Sequence, residues 1–94
     1  MNNRSRTMHY QIDLDNGVDT YEGISFTCST FGDEKEYTKN YMSADGYFLQ
    51  HNYKSESGML KAIKRLMESD AFSSMKIRAW NEDGSPNVGF TPFK

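Results

Sequence analysis

The candidate nucleophile in this sequence is Cys28 and the candidate bases are His9 and His51, while no spacing picks a catalytic pair out of its thirteen acids. A cysteine attacks as its thiolate, so it needs an imidazolium or a helix N-terminus close by to lower its pKa. Cys28 stands in the alternating run "GISFTCST", in phase with Ile24 and Phe26. That phase predicts a small core residue, and free cysteine is among the most buried residue types. His9 falls on the polar phase of "MHYQIDL", whereas His51 shares its phase with Leu49 and Tyr53. No spacing ties either histidine to Cys28.

Two histidines without an HxH or HExxH pattern do not specify a metal site. A single cysteine excludes both a multi-cysteine zinc site and a disulfide within this chain. The glycines of "DNG", "ADG" and "EDGSP" belong to turn signals and form no phosphate-binding loop. The expectation is therefore a protein that is not an enzyme and carries no metal or cofactor.

The elements that would position any site are legible from periodicity. Met8, Tyr10, Ile12 and Leu14 alternate with polar residues, the period-two pattern of a half-buried strand. Asn16-Gly17 is a strong hairpin signal, because both residues tolerate positive φ. The returning strand is "YEGISFTCST", and Phe31-Gly32-Asp33-Glu34 interrupts it as an acidic loop. A second hairpin is expected with arms at residues 36–42 and 47–53, turning on "SADG".

Residues 56–70 read as a helix. Met59, Leu60, Ile63, Leu66 and Met67 make one apolar stripe, and Lys61, Lys64, Arg65 and Glu68 make the charged face. Ser55 or Ser57 can cap its first turn. "SSMKIRAW" then alternates again, with Met75, Ile77 and Ala79 on one side and Lys76, Arg78 and Trp80 on the other. "NVGFTPF" is expected to add a short edge strand, since Pro92 is compatible with an edge only.

The order ββββαβ predicts an α+β fold, a single antiparallel sheet of four to six strands with one amphipathic helix packed on one face. At 94 residues the chain suits one domain over residues 8–94, with residues 1–7 a frayed polar segment. The expected core is Tyr10, Ile12, Leu14, Ile24, Phe26, Leu49, Met59, Leu60, Ile63, Leu66, Met67, Met75 and Ile77. No signal peptide and no apolar run long enough for a membrane span stand out, which points to the cytoplasm.

Net charge is −2, but it is unevenly spread. Residues 8–53 carry eight acids against two lysines, a balance of −6, whereas residues 54–78 carry a balance of +3. Aromatic residues reach 14%, with six Tyr, six Phe and one Trp, more rings than one helix-covered sheet hides easily. Tyr, Trp, Met and Arg are enriched at the centres of protein interfaces.

The first functional expectation is a small non-catalytic binding protein that acts through a protein–protein surface. Its candidate residues are Tyr37, Tyr41, Tyr47, Tyr53, Asp33, Glu34 and Glu36. Short length, acidic turns, abundant tyrosine and missing catalytic motifs resemble the general traits of small phage or mobile-element inhibitors of host nucleic-acid-acting defence complexes. A homodimer through the uncovered sheet face is a second expression of the same surface. The alternative is a single-stranded nucleic-acid-binding domain. It would use the open sheet face and the basic helix face through Lys61, Lys64, Arg65, Lys76, Arg78 and Trp80, with rings to stack on bases and cations to meet phosphates. A sequence pI near 5.6 argues against it, because nucleic-acid domains usually carry a basic excess.

Overall fold

Five strands form one antiparallel sheet in the order β4-β3-β2-β1-β5 in the computed structural model, which describes residues 8–16, 23–43 and 45–93. They are β1 (Met8–Asp15), β2 (Gly23–Phe31), β3 (Glu34–Met42), β4 (Phe48–Tyr53) and β5 (Ser74–Asn81), and the helix α1 (Glu56–Glu68) lies between β4 and β5 in the chain. This is the ββββαβ arrangement that the periodicity predicts. Gly17 of the expected Asn16-Gly17 turn and the segment 1–7 lie outside the described residues.

Register decides which residues share a face. Tyr10 pairs with Cys28, Ile12 with Phe26 and Leu14 with Ile24, so the apolar phases of β1 and β2 meet on one side. Ala79, Ile77 and Met75 of β5 extend those three rows. On the other flank, Tyr37, Lys39 and Tyr41 of β3 face Cys28, Phe26 and Ile24, and β4 continues with Tyr53, His51 and Leu49. Met59 and Ile63 of α1 close over the centre, and Tyr10, Ile12, Leu14, Ile24, Phe26 and Cys28 are buried with them.

Ser55 starts the helix by accepting a hydrogen bond from the Gly58 N–H at 3.2 Å, which satisfies one of the donors orphaned in the first turn. At the other end the Ser69 N–H donates to the Leu66 carbonyl at 3.2 Å, and Asp70 follows with φ +62°. That left-handed residue just past the helix is where glycine usually stands. Helix α1 contacts β2, β3 and β4, so it sits over one half of the sheet.

The other half is covered by a part of the chain that the periodicity misassigns. Residues 87–93 do not form an edge strand; beyond β5 only an isolated bridge joins Trp80 to Pro86. The segment instead crosses the helix side of the sheet, where the Phe90 ring lies 4.7 Å from that of Tyr10. The reason is geometric: one helix is too narrow for five strands, which span roughly 20 Å at about 4.8 Å each.

Two further expectations change for related reasons. Phe31-Gly32-Asp33-Glu34 is not a pattern-breaking loop. Phe31 pairs with Glu34, and Gly32 at φ +64° opens a two-residue hairpin turn, the position that a II′ turn reserves for glycine. Leu49, Met67 and Met75 are not in the core and are 41, 38 and 38% exposed. They sit at the margins of the layer that α1 and the C-terminal segment can cover.

Candidate surface at the β4 edge

The three chemistry-bearing side chains are held apart. Cys28 is buried on the helix side, with Sγ 3.9 Å from the Met8 carbonyl. Burial first, and the Glu56 charge second, push its thiol above the ordinary 9.0. His9 lies on the opposite face, its ring stacked 6.2 Å from Trp80. His51 is two strands away at the sheet margin, edge-on to Tyr53 at 4.6 Å. Among the described residues no three His, Cys, Asp or Glu side chains gather as they would to hold a metal ion.

The tyrosines expected on an uncovered face are placed elsewhere. Tyr37, Tyr41 and Tyr53 lie on the helix side and pack half-buried against the core. Burial holds the Tyr37 and Tyr53 phenols above their ordinary value. Only Tyr47 stands well out, at 58% exposure. Asp33, Glu34 and Glu36 are exposed around the β2–β3 turn, at the far end of the sheet from Tyr41 and Tyr47, so the seven residues do not form one patch.

The uncovered face is a hydrogen-bonded polar surface instead. Gln11 donates to Asp13 at 2.8 Å and to Ser25 at 3.0 Å, and the Thr38 hydroxyl donates to Asn52 at 3.1 Å. A second copy docking there would meet amides and hydroxyls over the centre of the face and an apolar area only at the Met42–Phe48 corner.

The six residues of the nucleic-acid alternative are also divided. Lys76, Arg78 and Trp80 project from the uncovered face, and Arg78 is engaged with Asp13 at 3.0 Å. Lys61, Lys64 and Arg65 are on α1, on the other side of the sheet. Even these separate: Lys64 borders the C-terminal segment beside Pro92 and Phe93, whereas Lys61 and Arg65 face β3 and β4.

What the structure does bring together lies along β4. This strand is the outer edge of the sheet, and its sequence "FLQHNY" contains no charge and no proline. Five of its six residues are exposed. At its start Met42 and Phe48 pair on the uncovered face, 42 and 55% exposed, while Leu49, 41% exposed, pairs with Tyr41 on the helix side and Tyr47, 58% exposed, leads into the strand. The turn beneath them is fixed: Ser43 receives the Gly46 N–H at 3.0 Å and donates its own N–H to the Tyr47 carbonyl at 2.8 Å. Asp45 accepts from the Ser43 hydroxyl, and that bond and the nearby backbone N–H groups hold its carboxyl below the usual range.

Behind the strand, a groove of about 460 Å³ separates α1 from β3 and β4. Lys39 and Tyr53 form its floor, and Lys61, Ala62 and Arg65 form its wall. The opposite edge of the sheet is protected. The Asn87 N–H donates to the Ala79 carbonyl and the Asn81 N–H to the Ser85 carbonyl, both near the end of β5, while Lys76 and Arg78 charge the rest of that strand.

Sequence reasoning passed over this edge. Its signal was the uncharged hexapeptide itself, together with Lys39 standing in the apolar phase of "YTKNY" between Tyr37 and Tyr41. No protein-family model, curated protein or solved structure matches the chain.

Proposed function

We propose that this protein is a small non-catalytic binding module that captures a protein partner by strand addition at β4. The observation that carries the reading is the contrast between the two sheet edges. β5 is charged and capped by residues 85–87, as edges that must stay unpaired usually are, whereas β4 is uncharged, proline-free and uncovered among the described residues. An extended segment laid along β4 would satisfy its unpaired N–H and C=O groups, and the Met42–Phe48 cluster would anchor one end of it. A host nucleic-acid-acting complex is the partner class in keeping with the chain's size and composition.

Amide hydrogen exchange tests the proposal once a partner has been isolated by proximity labelling. Exchange within residues 48–53 is expected to slow at least about tenfold on binding at the amides that point away from β3, because strand addition pairs those groups. A partner that leaves the β4 amides unchanged overturns it, as does a chain that acquires no partner.

A further inference from the structure

We infer that the segment added to β4 is acidic, with Asp, Glu or a phosphorylated side chain at alternate positions on its helix-facing side. This rests on strand addition as the binding mode and names the chemistry of the added strand. The groove behind β4 holds three cations, Lys39, Lys61 and Arg65, and no acidic side chain lines it. Among the described residues the ion pair that forms is Arg78 with Asp13, on the opposite face, so these three cations carry no carboxylate partner there.

Lys39 is the most informative of them. A lysine in phase with Tyr37 and Tyr41, directly across from buried Phe26 on β2, sits on the side of the sheet where apolar residues belong. It is only half-buried because α1 leaves the groove open above it. Tyr53 of the last strand lines the groove and His51 shares its face, so the free edge lies directly beyond. A strand added there lies about 4.8 Å beyond β4 and projects every second side chain toward the helix side. Those side chains enter a cationic, tyrosine-floored groove, where carboxylates or phosphates are favoured and lysines repelled.

The same charges weigh against other occupants. A second copy pairing β4 to β4 about a two-fold axis would turn the two cationic flanks toward each other. A nucleic-acid strand would meet the cations but leave the backbone groups of β4 unpaired, on a chain whose net charge is −2.

The test is selection of a random displayed dodecapeptide library on the intact protein, followed by affinity and exchange measurements on the winning peptides. Acidic residues at alternate positions are expected, with slowed exchange at residues 48–53. Lys61→Glu with Arg65→Glu is expected to weaken binding about tenfold or more, and raised salt to weaken it too. Lys64→Glu makes one such charge reversal on the other flank of α1, half the change of the double variant, and is expected to change affinity less than about twofold, whereas Lys61→Glu or Arg65→Glu alone is expected to weaken it more than that. All three side chains are exposed, and thermal unfolding of each variant confirms that folding is retained.

Winners without acidic enrichment that still protect β4 overturn the charge inference and leave strand addition standing. Acidic winners that leave β4 exchange unchanged overturn strand addition and this inference with it. Tighter binding of oligothymidylate than of any peptide, lost in the Lys61→Glu, Arg65→Glu variant, transfers the groove to nucleic acid and overturns both. A protein that remains dimeric at every concentration used, with β4 protected in the absence of peptide, assigns the edge to a second copy instead.

Discussion

Tyr10 shows how one buried polar group can tie two layers together. Its ring is 2% exposed, yet its hydroxyl reaches the end of the core and donates to Glu56 Oε2 at 2.9 Å. The bond joins β1 to the first turn of α1, where the carboxylate also suits the positive end of the helix dipole. Tyr10→Phe keeps the ring and removes the bond; Glu56 is exposed and can turn to water, so the expected cost is modest, about 1 kcal/mol in urea unfolding. Cys28 gives the complementary case. Its thiol is buried and kept protonated, so alkylation by iodoacetamide at mildly alkaline pH is expected to be at least about a hundredfold slower in the native protein than in denaturant. Equal rates in the two states would mean that the thiol is accessible, and would reopen a nucleophilic role for Cys28.

At the scale of elements, the strands and helix were legible because their signals are local. Alternation in "MHYQIDL" and the stripe from Met59 to Leu66 depend on neighbours in sequence and appear at the expected places. The cover over β1 and β5 was not legible, because Phe90 has no periodic company. Only the register of β1 against β5 and the width of the sheet create a place for its ring. The same holds for the candidate edge: "FLQHNY" reads as an ordinary strand until the topology makes it terminal. Phe90→Ala is therefore expected to cost about 2 kcal/mol, roughly half the usual penalty for a fully buried ring, because Phe90 is only half-buried. A cost near zero would mean that the C-terminal segment does not pack on Tyr10. Asp70→Gly should act in the opposite sense. It relieves a left-handed residue at the end of α1 and is expected to raise the unfolding free energy by about 0.5–1 kcal/mol.

The whole molecule carries an asymmetric response to pH. Tyr10 is held well above the ordinary phenol value of 10.0 by burial, and then by the hydrogen bond to Glu56 and the charge there. Cys28 is raised above 9.0, and Tyr37 and Tyr53 are raised in the same direction, burial being the first cause in each. These groups are neutral when protonated, so the folded chain keeps protons that the unfolded chain releases. Where the unfolded state binds fewer protons, stability falls as pH rises. The contribution is fully present below the unfolded-state values and is lost as pH climbs through 9.0 and 10.0 toward the higher folded values. Each fully coupled group adds a slope of up to about 1.4 kcal/mol per pH unit in that window, and the half-exposed Tyr37 and Tyr53 add less. Urea midpoints are accordingly expected to change little between about pH 7 and 8.5 and to drop steeply by about pH 10.5. Combining Tyr10→Phe with Cys28→Ala removes the two most buried of these groups. The double variant should start less stable at neutral pH and yet lose less between neutral and alkaline conditions. An alkaline slope as steep in the double variant as in the parent would place the titrating groups elsewhere.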